Sequence, residues 1–139
     1  MKRIFLILAL LAVSFLLPAV GLSCSPSQVT ASLGKEFTLR AGKTAVIKGE
    51  NITLKFVEVT GDSRCATGNV CIWAGEASCL VSVTYGDKTS DIVFTQSGGS
   101  LTEKEFLDKY KASFILEPYP EAGNKIDKSE YRLVMTVKK

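Results

Sequence analysis

From Gly34 onward, apolar and polar residues alternate in short runs, and turn signals recur about every eight to twelve residues. That rhythm predicts an all-β domain: a single β-sandwich, immunoglobulin-like or related, with a closed barrel as the alternative. Seven strands are expected, over residues 35–40, 43–48, 52–59, 77–85, 88–95, 110–117 and 130–138. Phe37 and Leu39 share a face of the first, and Ile52, Leu54 and Phe56 share a face of the third. The phase then slips to Val57 and Val59, which predicts a bulge. In the last strand Tyr131, Leu133, Met135 and Val137 fall on one side. Between residues 96 and 110 the signal changes. Ser100 with Glu103, or Thr102 with Glu105, forms a capping-box pattern, so a short helix is expected there with Phe106, Leu107 and Tyr110 as its apolar side. Pro118-Tyr119-Pro120 ends the preceding strand.

The N-terminal region has a different pattern. Lys2 and Arg3 precede an apolar run from Ile4 to Leu17, interrupted by Ser14 and closed by Pro18. A basic start, an apolar stretch and small residues beyond it make residues 1–23 a signal peptide. An uncleaved anchor is the rival, since the apolar stretch through Leu22 reaches 19 residues, near the lower limit for crossing a bilayer. Both place the body outside the cytoplasm. Gly21-Leu22-Ser23-Cys24 partly matches a lipoprotein cleavage site, with Ser23 well placed and Leu22 one position late. Cleavage after Ser23 by an ordinary signal peptidase fits as well. Residues 24–33 read as a polar tether, leaving 34–139 as the domain.

Export alters the reading of the cysteines, because disulfides persist in oxidising compartments. Cys65 and Cys71 bracket a loop containing Gly68 and Asn69, tight enough to bring the sulfurs together. By chain entropy, closing about seven residues is worth roughly 2.4 kcal/mol. Cys24 and Cys79 have two mutually exclusive fates. Either they form a second disulfide, or Cys24 is lipidated and Cys79 is a buried thiol that packs as a small hydrophobe.

Charge and composition mainly exclude. Seventeen basic and fourteen acidic residues give +3, and without Lys2 and Arg3 the balance falls to +1. So even a balance does not suggest a nucleic-acid partner. The chain has no histidine, which removes Ser-His-Asp and Cys-His catalysis and imidazole-based zinc sites. Asn51-Ile52-Thr53 is a glycosylation sequon at a turn.

The stretch Phe56-Val57-Glu58-Val59-Thr60-Gly61-Asp62-Ser63-Arg64-Cys65, continued by Cys71-Ile72-Trp73-Ala74-Gly75-Glu76, resembles a family of small exported proteins and lipoproteins of bacteria and archaea. Their signature is close to D-S-R-C-x(5)-C-[VI]-W-A-G. Pro118-Tyr119-Pro120 and Glu130-Tyr131 match further family segments, and Ala66 departs from the family's usual proline. The resemblance covers the body from about Gly34 to the end. It implies export and an all-β domain, and it supplies no catalytic residues.

The candidate binding loop comprises Asp62, Arg64, Asn69, Trp73 and Glu76. Trp73 is expected to pack on the disulfide within the core, the alternative being an exposed recognition tip. Arg64 is expected to bridge carboxylates and backbone carbonyls. A calcium site from the oxygens of Asp62, Asn69 and Glu76 is disfavoured, because Arg64 would repel the ion and the spacing follows no known loop. No metal or cofactor is therefore expected. The functional expectation is a non-enzymatic, exported or surface-anchored binding module. Its partner would be an unknown envelope or extracellular protein or ligand, with membrane contact only through a lipid or uncleaved leader. Inhibition of exported peptidases through the braced loop 62–75 is the alternative.

Overall fold

The structure, a computed structural model, describes residues 28–139. The expected leader, its cleavage site and Cys24 lie outside the described residues. Nine strands are present: β1 (Gln28–Ser32), β2 (Glu36–Arg40), β3 (Thr44–Lys48), β4 (Ile52–Asp62), β5 (Glu76–Tyr85), β6 (Lys88–Ser97), β7 (Thr102–Phe106), β8 (Tyr110–Glu117) and β9 (Arg132–Lys138). They form a five-stranded sheet ordered β1-β3-β4-β5-β6 and a four-stranded sheet ordered β2-β9-β8-β7. All pairings are antiparallel except that of β1 with β3. The sandwich expected from the alternation is therefore the architecture, and the sheets do not close into a barrel.

Each sheet turns its alternate apolar positions inward. Ile52, Leu54 and Phe56 of β4 and Val81 and Val83 of β5 meet Phe114 and Leu116 of β8 and Leu133, Met135 and Val137 of β9, all buried. Phe94 and Phe114 face one another across the core with ring centroids 5.0 Å apart. Cys79 is buried among them with no disulfide partner among the described residues, and loss of solvation pushes its thiol pKa up to about 12. Such a thiol is a packing group rather than a nucleophile. Its candidate partner Cys24 is not among the described residues. The slip after Phe56 is real: the β4–β5 register shifts between Phe56 and Glu58, and again between Val59 and Gly61.

Two expectations are corrected. The polar tether contains a strand, since Gln28–Ser32 lies parallel to β3 with Ala31 buried. Its five residues alternate too weakly to stand out from a linker, and a parallel pairing has no hairpin turn to announce it. The short helix at 100–110 is β7, followed by a turn into β8. The residues that suggested a capping box serve the ladder instead. Lys111 of β8 lies 3.4 Å from Glu103 and 3.6 Å from Glu105, and Ser113 donates to Glu103. These cross-strand contacts reward a strand for the same acidic residues that would cap a helix. The turn carries Leu107 and Asp108 at φ 53° and 57°, the left-handed region, with no glycine to signal it.

Gln96 is the polar residue sealed furthest into the core. Its Oε1 accepts from the Leu116 amide at 2.6 Å and its Nε2 donates to the Gly98 carbonyl at 3.1 Å, so one side chain joins the two sheets. Replacing it by an isosteric hydrocarbon strands the Leu116 amide in a dry site. Gln96→Leu is expected to cost about 2 kcal/mol, read as a lower urea midpoint with an unchanged denaturant slope.

Candidate functional site

At one end of the sandwich β4 passes into β5 through residues 63–75, and this connection begins with a buried cation. The Arg64 side chain is fully shielded from solvent. It donates Nε to Asp62 Oδ1 at 2.9 Å, one terminal nitrogen to Asp62 Oδ2 at 2.6 Å and to the Pro118 carbonyl at 2.9 Å, and the other to the Leu116 carbonyl at 2.7 Å. The guanidinium also lies 5.1 Å from the centre of the Tyr119 ring. Asp62 receives the Arg64 amide and the Tyr131 hydroxyl as well, at 3.2 and 3.0 Å. Arg64 thus ties the end of β4 to the end of β8, and Asp62 ties it to the residue before β9. Burial raises the Asp62 pKa, but the hydrogen bonds and charge of Arg64 outweigh it and hold the carboxyl below its ordinary 3.8. Burial and the bond to Asp62 push Tyr131 up to about 12.

Above this knot the loop leaves through a narrow neck. The Cys65 amide donates to the Ala74 carbonyl, Ser63 donates both its amide and hydroxyl to the Glu76 carbonyl, and Thr67 donates its amide to Pro120. Gly75 makes the neck possible: at φ +70° a Cβ there would sit 2.0 Å from the Ser63 carbonyl oxygen. No other residue type fits. The Cys65–Cys71 disulfide, Cα atoms 6.0 Å apart, then braces the projecting part.

The loop beyond the neck carries apolar side chains in solvent. Val70 and Ile72 are 104% and 105% exposed, and Trp73 is 65% exposed. The expectation that Trp73 packs in the core is corrected. Arg64 and Tyr131 are buried at this end, and Trp73 is not part of the core. From Cys65 to Gly75 there are eleven residues without a charge.

The other candidates separate. Arg64 and Asp62 form the network expected of them, whereas the Glu76 side chain stays exposed and contributes only its backbone. Asn69 is exposed and its amide closes a turn onto Ala66. Both Asp62 oxygens are engaged by Arg64 and Tyr131, so the oxygen trio of Asp62, Asn69 and Glu76 does not assemble. Val70 and Ile72, which the sequence reading passed over, are the most exposed apolar residues of the loop. Their signal was the uncharged run with apolar residues on both sides of Cys71. Two clefts of about 410 Å³ flank the 118–131 segment, one touching Asp62, Lys125, Lys128 and Tyr131, the other Tyr119, Glu121 and Ile126.

Gly75→Ala is expected to destabilise the domain by about 3 kcal/mol through the clash and the left-handed backbone, measured by chemical denaturation. Asp62 has a folded pKa below its unfolded one. Its stabilisation is therefore complete above about pH 4 and is lost as the pH falls through the lower folded value. Asp62→Asn is expected to melt lower than wild type near neutrality but to lose less on further acidification to about pH 3, which thermal unfolding across that range checks. Comparison of the chain with models of protein families, with curated proteins and with solved structures finds no match.

Proposed function

We propose that this chain is an exported, non-enzymatic binding module whose contact surface is the braced tip, residues 65–75. The observation that carries this reading is the exposure of Val70, Ile72 and Trp73 on a loop fixed by a disulfide and a buried ion pair. Contiguous apolar surface is expensive to leave in water, and burying one such side chain is worth about 1.5–3 kcal/mol. A fixed loop also loses little conformational entropy on binding. Export is supported by the apolar N-terminal pattern, by the disulfide and by the resemblance of the D-S-R-C…C-I-W-A-G stretch to exported proteins and lipoproteins. Lipidation of Cys24 belongs to the same reading. The absence of histidine and the commitment of Asp62 and Arg64 to each other favour binding over catalysis.

Inhibition of an exported peptidase is the second reading, favoured by the convex, covalently braced shape of the tip. A photoreactive residue at position 69 tests the surface directly in native envelopes, with one at position 87, on the β5–β6 turn at the far end, as control. Crosslinks to protein or lipid are expected from position 69, with Ile72→Ser combined with Trp73→Ser lowering their yield at least about tenfold, the loss expected when two apolar anchors are removed. Equal yields from both positions, or yields unmoved by the double substitution, would overturn the proposal. A peptidase panel separates the second reading, which requires inhibition that weakens in Trp73→Ser.

A further inference from the structure

The direction in which the chain enters the sandwich restricts what the tip meets. Gln28 pairs with Thr44 and Thr44 with Lys55, and β1 runs parallel to β3. Moving backward along β1 therefore leads toward the end where β4 finishes at Asp62 and the tip begins. From Lys55 to Asp62 is about 23 Å of strand. β1 thus begins on the side of the sheet that runs toward the braced tip. Lys109, Lys111, Lys138 and Lys139 gather at the other end, around the start of β8 and the finish of β9, while Lys125 and Lys128 lie at the tip end in the 118–131 segment, outside the tip itself.

We propose that the tip's ligand is the interfacial zone of a lipid bilayer, entered by Val70, Ile72 and Trp73. The proposal rests on the tip being the contact surface. Three observations select lipid over a protein partner. The side chains from Val70 to Gly75 offer, apart from the disulfide, only the Trp73 indole N–H for hydrogen bonding, whereas protein interfaces carry about one hydrogen bond per 100–200 Å². Tryptophan beside aliphatic residues is the composition favoured at the headgroup level, the indole N–H facing water and the ring facing the chains. β1 opens on the side toward the tip, so any upstream chain held at a bilayer would keep that end near the surface, and the uncharged tip would meet it without desolvating an ion. Contact is accordingly apolar and independent of lipid charge.

Trp73 is the only tryptophan in the chain, so its emission reports the tip alone. The full chain is reconstituted into vesicles of pure phosphatidylcholine, with and without brominated acyl chains. The expected result is blue-shifted Trp73 emission, quenching by the brominated lipid, and neither effect reversed by raised salt. Val70→Ser with Ile72→Ser is expected to return the emission toward that of water while the melting temperature stays unchanged, since both side chains are already fully exposed. A chain that floats with the vesicles while its tryptophan stays water-exposed and unquenched by bromine overturns the proposal, as does failure to float. If position 69 still traps a protein in native envelopes, the tip remains the contact surface and only the lipid assignment falls. If it traps nothing, both fall together.

Discussion

The fold at the end that carries the braced loop depends on one buried cation. A guanidinium removed from water loses several kcal/mol of hydration, and a single ion pair rarely offsets that. Arg64 recovers it through four hydrogen bonds and the nearby Tyr119 ring, and the carbonyls it engages come from Leu116 near the end of β8 in the opposite sheet and from Pro118 just beyond it. Those bonds settle where β4 stops, how β8 leaves its ladder and how close the two sheets come. Lysine, with a compact ammonium and no fork, would not reproduce that set of directions. The D-S-R and W-A-G stretches are thus two sides of one joint: Asp62 and Arg64 lock the sheets, while Gly75 lets the returning strand pass against the Ser63 carbonyl.

A second polar joint closes the opposite end, and the contrast is informative. There Tyr110 donates to Glu50, and Lys139 donates to the same carboxylate at 3.2 Å. The hydrogen bonds from Tyr110 and Lys139 hold the Glu50 carboxyl below the usual range, but this joint lies nearer solvent and is screened accordingly. The Lys109 ammonium lies over the rings of Tyr85 and Tyr110. The sandwich therefore buries its ion pair at the end from which the apolar loop projects and leaves the Glu50 joint nearer water at the other. Its polarity follows from where the charges are buried and where they are left wet.

The parts of this arrangement legible in the sequence were those set by alternation. Seven of the strands and the bulge after Phe56 follow from side chains that point alternately in and out, a local property of the chain. β1 and β7 were not legible, because β1 is a strand by virtue of a parallel partner beyond β2 and β7 turns into β8 without a glycine. The same holds at the site. The pairing of Asp62 with Arg64 lies within three residues and could be anticipated, whereas Leu116, Pro118 and Tyr131 join it from more than fifty positions away. Trp73 misled for a related reason. A tryptophan beside a disulfide has a strong preference for burial, and only the tertiary position of the neck reveals that nothing lies above it to bury it.

Neck and brace have separate tasks. Arg64 and Gly75 determine where the loop emerges, and they do so from residues outside the disulfide ring. The disulfide determines what the loop shows. Cys71 is drawn back to Cys65, while its neighbours Val70 and Ile72 remain completely exposed. Without the cross-link the loop would be free to fold these side chains down against the body of the domain, the outcome that water favours. A covalent bond that holds aliphatic side chains away from their own core does not serve the core. Its roughly 2.4 kcal/mol of chain entropy stabilises a shape in which Val70 and Ile72 stay in water, not a contact of the core.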